Sequence, residues 1–189
     1  MRNLLVICGL GVAISACGGG AGGGGDDTAA IDASAAAPDA PAGEDLDMQA
    51  ADFGCIRDGT KVDKFFIKNP LGHLDDAVAV ATSATGGRYP VGTILQLVPQ
   101  EAMVKRATGW NPTTNDWEFF ALSVSGATTT IQARGVEDVS NSFGGNCFAC
   151  HDQAAPQWDL VCETTHGCDP LQISDTIIEN LQNGDSRCN

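Results

Sequence analysis

The chain of 189 residues predicts an α+β domain built on a curved antiparallel β-sheet with packed helices. Short apolar, β-branched and aromatic runs separated by turn residues occupy residues 62–133, the signature of strands. Helical spacing interrupts that run once and returns near the C-terminus. The first fifty residues, by contrast, carry too few bulky apolar side chains to form a core.

Residues 62–68 alternate weakly around Phe65, Phe66 and Ile67 and read as a strand, which Asn69-Pro70 ends because proline cannot extend a ladder. Leu74, Ala77, Val78 and Ala81 then recur at helical spacing, with Asp75 and Asp76 in the first turn, where they favour the helix dipole. Gly86-Gly87 stops this helix. After Tyr89-Pro90, residues 92–98 form a strand, residues 103–108 another, and Asn111-Pro112 turns the chain. Residues 117–124 are apolar on both faces, as expected of a central strand covered on both sides. Residues 128–133 pair with it across Ser125-Gly126. Residues 136–152 are helix or loop. Ser174 opens a final helix through Leu181, with Ile177, Ile178 and Leu181 as its apolar stripe and Gly184 beyond.

Residues 1–16 read as an export signal: Arg2 supplies charge, and an apolar core follows that is far shorter than the roughly 20 residues needed to span a bilayer. Its ending, Ile14-Ser15-Ala16-Cys17, resembles a bacterial lipobox, which implies cleavage before Cys17 and lipidation of its sulfur. Gly18 after the cysteine, by resemblance to known sorting patterns, points to the outer membrane, facing the periplasm or the exterior. Residues 17–51, rich in Gly, Ala, Asp and Pro, form a flexible acidic linker whose random-coil reach is on the order of 30 Å. Residues 52–189 are one domain's worth of sequence. The formal net charge of −14 and pI of about 4.2, with no basic cluster, exclude nucleic acid and leave the lipid as the membrane contact.

The chain has 8 cysteines. Cys8 leaves with the signal, Cys17 takes lipid, and Cys147 and Cys150 belong to a motif of their own. The remaining Cys55, Cys162, Cys168 and Cys188 are an even set in an exported protein, where disulfides are expected. Four cysteines allow three pairings. The pairing expected here is Cys162–Cys168 closing a small loop and Cys55–Cys188 tying the ends of the domain together.

The motif is Cys147-Phe148-Ala149-Cys150-His151, a C-x-x-C-H run, the signature of covalent c-type haem attachment. Two thiols one short turn apart can add to the two vinyl groups of one porphyrin, and the adjoining histidine then lies under the iron as its axial ligand. One haem c per chain is expected, held by Cys147 and Cys150, with His151 on the metal. A plain disulfide, a redox C-x-x-C, or a zinc site of Cys147, Cys150, Cys162 and His166 are the alternatives. The order of elements differs from the all-helical plan of small electron-transfer cytochromes, and the sheet is expected to form one wall of the haem pocket.

Several segments together resemble the cytochrome P460 family, which includes the cytochromes c′-beta. Tyr89-Pro90-Val91-Gly92-Thr93 is similar to its aromatic-Pro-x-Gly-Thr strand entry, and Glu101-Ala102-Met103-Val104-Lys105 to its Glu-Ala-x-Val-Lys segment. Asn115-Asp116-Trp117-Glu118-Phe119 is similar to its Asn-x-Trp-x-Phe strand. Cys147 to His151, Ala154-Ala155 and Asp159-Leu160-Val161 follow its ending. The resemblance covers residues 62–162. It implies a homodimer and a five-coordinate haem whose open distal face binds or oxidises small nitrogen species such as nitric oxide and hydroxylamine.

The resemblance also places Leu97 where P460 enzymes cross-link a lysine to the porphyrin, with Gln96 before it, so the cross-link is absent and gas binding is favoured. Glu101 falls at the distal carboxylate, a proton acceptor beside bound substrate. Lys68 falls near a distal arginine. Lys105 and Arg106 are surface charges or propionate contacts. His73, His166 and Met103 are candidate sixth ligands, and Met48 lies in the linker. Trp117, Phe119, Phe120 and Trp158 are core or haem-packing residues. Three functions follow: a binder of nitric oxide or a related ligand, a haem oxidoreductase acting on hydroxylamine or nitric oxide, and an electron carrier working with a redox partner cytochrome.

Overall fold

The computed structural model describes residues 43–188; the stretch read as an export signal, Cys17 and most of the expected linker lie outside them. The architecture is α+β. Six strands, β1 (Thr60–Val62), β2 (Phe65–Lys68), β3 (Ile94–Gln96), β4 (Glu101–Lys105), β5 (Trp117–Ser125) and β6 (Thr128–Gly135), form one sheet in chain order. Every neighbouring pair is antiparallel. Among the described residues three α-helices accompany it: α1 (Leu74–Ala81) between β2 and β3, then α2 (Cys147–His151) and α3 (Asp175–Asn183) after the last strand.

The strand expected over residues 62–68 is a hairpin instead, because Asp63 takes a left-handed φ of 46° and folds the chain back. Aspartate tolerates that conformation better than most residues. β4 begins at Glu101, two residues earlier than expected, and pairs Glu101 with Ala121 and Lys105 with Trp117. β5 and β6 form the long hairpin expected across Ser125-Gly126, with a register irregularity between Ala121 and Leu122. In α3, Ser174 caps the first turn by accepting from the Ile177 amide. Its buried positions are Ile178 and Gln182, however, while Ile177 is exposed. The Gln182 amide donates to the carbonyls of Lys64 and Leu97, at 2.6 and 2.7 Å, so a polar side chain fastens this helix to the sheet.

Strand alternation separates two apolar layers. Phe65, Ile67, Leu95, Met103 and Phe119 pack with Val139, Cys147 and Val161 on one side. Ile94, Ala102, Val104, Phe120 and Leu122 pack on the other with Met48 and Phe53. The first half of β5 is therefore buried on both faces, as its sequence requires. Part of what covers the second face, Met48 with Leu46 beside it, comes from residues assigned to the linker. Met48 is only 2% exposed, so the packed domain begins before residue 52 and the boundary at 51 falls too late.

Charge fastens the same segment. Arg106 donates to both carboxylate oxygens of Asp45, at 2.8 and 2.7 Å, and pairs with Glu118. Arg134 holds Glu118 at 2.6 Å, Asp47 at 2.6 Å and the Met48 carbonyl at 3.0 Å. Arg106 and Lys105 are thus buried, neither surface charges nor groups on the cavity described below. Cys55 is bonded to Cys188 and Cys162 to Cys168, the pairing expected from position and parity. Beside the first bridge, Asp185 accepts from the Ile56 amide at 2.9 Å and Arg187 donates to the Phe53 carbonyl at 3.0 Å.

Two measurements test this attachment. Met48→Ala should lower unfolding free energy by about 2–5 kcal/mol, as truncation of a buried methionine does, where a linker residue would cost nothing measurable. Hydrogen bonding from Arg106 holds the Asp45 carboxyl at about 2, below its ordinary 3.8. A depressed folded-state value means stabilisation that is complete above the ordinary value and lost as pH falls through the folded one. In urea titrations, wild type should exceed Asp45→Asn in stability at pH 7, and the difference should shrink below about pH 4 and vanish only below about pH 2.

Candidate haem-binding site

Helix α2 is one and a half turns long, and its position is set by contacts at its start. Asn146 caps it by accepting from the Ala149 amide at 2.8 Å, while its own amide group donates to the Glu137 carbonyl at 2.6 Å. The Cys147 amide donates to Val139 at 2.9 Å. Residues three and four apart share a helix face, so Cys147, Cys150 and His151 project together. All three line one cavity of about 380 Å³, within the roughly 300–1,000 Å³ of small-molecule and cofactor sites.

The sheet supplies the opposite wall with Phe65, Leu95, Leu97, Met103 and Phe119. Leu97 lines the cavity, whereas Gln96 is buried and turns its amide to the Glu101 carbonyl at 3.2 Å. Glu101 also lines the cavity; one oxygen accepts from the Ser142 amide at 2.9 Å. Burial raises its carboxyl above the ordinary range, partly offset by the bonds from Ser142. The remaining charged lining residues are Asp63, Glu163, Asp169 and Asp175 against Lys64, which pairs with Asp175 at 2.8 Å.

His151 is held from behind. Its Nδ1 lies 2.6 Å from the Leu160 carbonyl, and its ring packs on Phe119 with centroids 5.2 Å apart. A carbonyl can only accept, so the proton sits on Nδ1 and the Nε2 lone pair remains available as a metal ligand. Burial lowers the imidazole's affinity for a second proton, which keeps that lone pair free.

Other sequence candidates lie elsewhere. Lys68 donates to the Cys55 carbonyl at 2.6 Å and is not on the cavity. His73 pairs with Glu44 at 3.1 Å. His166 is buried, stacked on Trp158 with centroids 3.7 Å apart, and bonded through Nδ1 to the Val161 carbonyl. Neither histidine lines the cavity, so of the candidate sixth ligands only Met103 does. The zinc alternative fails because Cys162 is in a disulfide. Among the described residues the one metal-like group is Cys55, Asp185 and Cys188, whose sulfurs are bonded to each other.

The Leu160 carbonyl and the residues that aim it are a part of the site that residue-type reasoning does not find. No motif marks a backbone carbonyl; the available signal is the apolar-flanked Asp159 near the motif.

Comparison with protein-family models, with curated proteins and with solved structures finds no match. The chemistry therefore rests on the donor set itself. The donors fit a c-type haem: Cys147 and Cys150 are the two free cysteines among the described residues, and they share a cavity with a neutral imidazole. They do not fit a redox C-x-x-C, whose nucleophile needs a lowered pKa. Burial, then the charges of Glu101 and Cys150, push the Cys147 thiol up to about 12, and burial raises Cys150 as well. Iodoacetamide should therefore label Cys147 of haem-free folded protein slowly at pH 7–8 and rapidly after unfolding in urea. Fast labelling of the folded protein at pH 7, read by mass spectrometry, would instead indicate a reactive thiolate.

Proposed function

We propose that this chain is an exported monohaem c-type cytochrome similar to the P460 family, binding nitric oxide or a related small nitrogen ligand. The observation that carries the reading is the convergence of two free thiols and the Nδ1-protonated His151 on one apolar cavity, while the other described cysteines are paired. When bound, the haem supplies an iron that takes up a small axial ligand. Cys147 and Cys150 would fix the macrocycle, and His151 would hold the metal through Nε2. Phe65, Leu97 and Met103 make one wall of the cavity apolar, which favours neutral diatomic ligands. The carboxylates of the lining disfavour anions such as nitrite by like-charge repulsion.

Oxidation of hydroxylamine or nitric oxide is the second reading, and Glu101 favours it. Its carboxylate lines the cavity, and its raised pKa suits a group that accepts a proton. Leucine at position 97, with no amine to join a porphyrin, weighs towards binding. We further propose that Cys17 is lipidated and anchors the protein in the outer membrane, and that function engages a redox partner cytochrome or a second copy of the chain.

Protein made with c-type maturation machinery should retain haem-linked peroxidase staining on a denaturing gel, and the Cys147→Ala, Cys150→Ala double variant should lose it. The ferrous spectrum should lack the red-shifted P460 band and change on addition of nitric oxide. Absence of covalent haem from the wild type sinks the reading. Sustained hydroxylamine oxidation that is lost in Glu101→Gln makes the protein an enzyme.

A further inference from the structure

Asp159 and Leu160 are consecutive non-glycine residues with left-handed backbone, φ 50° and 63°. Aspartate tolerates that region but leucine does not favour it, and two such residues in succession persist only where surrounding contacts dictate them. Here the contacts converge on Asp159, which is 1% exposed. Its Oδ2 accepts from the Tyr89 amide at 2.9 Å and from Lys105 Nζ at 2.7 Å. Its backbone carbonyl accepts from the Trp117 indole N–H at 2.7 Å. Among the described residues its Oδ1 has no hydrogen-bond partner, and both of these bonds reach the carboxylate through Oδ2. The next carbonyl in the chain, that of Leu160, receives the proton of His151 Nδ1.

We propose that the Asp159–Leu160 turn, fastened by Lys105, Trp117 and Tyr89, is a positioning device that sets the tautomer and donor strength of His151. The inference rests on the haem reading for its consequence, since it concerns what His151 Nε2 presents to the iron. The turn fixes the acceptor opposite Nδ1–H, and a hydrogen bond there makes the imidazole a stronger electron donor at Nε2. Lys105 and Trp117 come from the paired ends of β4 and β5, so the sheet register itself aims the histidine. None of these residues reaches the cavity, and each acts through the Leu160 carbonyl.

The test uses haem-loaded full chain carrying Asp159→Asn or Trp117→Phe. The first removes the charge that holds Lys105; the second removes one N–H and retains an aromatic ring, should the first fail to fold. Resonance Raman of the ferrous protein reads the iron–histidine stretch, and redox titration reads the potential. With one covalent haem per chain retained, the stretch should move to lower frequency and the potential should rise in the variants. A merely structural role would lower the melting temperature and leave both unmoved, and wild-type values in both variants overturn the proposal. If the wild type carries no covalent haem, the haem reading fails separately. The ¹⁵N spectrum of its histidines then decides: Nδ1 protonation at His151 that loosens in the variants supports the device, and an unchanged tautomer overturns it.

Discussion

Lys105 and Asp159 meet at 2.7 Å with almost no exposure to water. Burial alone would drive the lysine towards its neutral form; the adjacent carboxylate opposes that. Such a pair adds little net stability over an apolar one, but removing one partner strands a buried charge at a cost of about 3–5 kcal/mol. Its consequence is geometric. The pair clamps the segment after α2 to the ends of β4 and β5, and the ring of Trp117 lies under the ammonium, 4.8 Å away.

On the other side of the sheet the same logic runs with arginine. Glu118 projects to the opposite face from Trp117 and Phe119, where Arg106 and Arg134 both reach it. Those guanidiniums also grip Asp45 and Asp47, and between the charges Met48 enters the second apolar layer. A strand apolar on both faces needs two covers. α2 and the segments around it provide one; a short stretch upstream of β1 provides the other, in a composition that otherwise resembles a linker.

The cysteines divide by environment. Cys55 and Cys188 lie 133 positions apart, and their bond joins the beginning and end of the domain; Cys162 and Cys168 lie 6 apart and brace one wall of the cavity. Cys147 and Cys150 stand free within the same oxidisable chain, on a helix face shared with a histidine. Spacing along a short helix accounts for that shared face without any tertiary information.

Much was therefore written locally. The later strands and the helices in their order, the hairpin at Ser125-Gly126, the cap at Ser174, the even set of four further cysteines and the C-x-x-C-H face all follow from periodicity, turn chemistry and counting. These are short-range or parity arguments, and the fold obeys them. The sequence could not place Met48 in a core, bury Lys105 and Arg106, take Lys68, His73 and His166 off the cavity, or turn Gln182 inward in place of Ile177. Most of those outcomes depend on partners far along the chain, such as Asp159 for Lys105 and Lys64 for Gln182, whereas Lys68 and His166 are held by the nearer Cys55 and Val161 carbonyls. The carbonyl behind His151 is the clearest case. Residue type says nothing about where a backbone oxygen points; only the packed turn, with its buried charges, decides that.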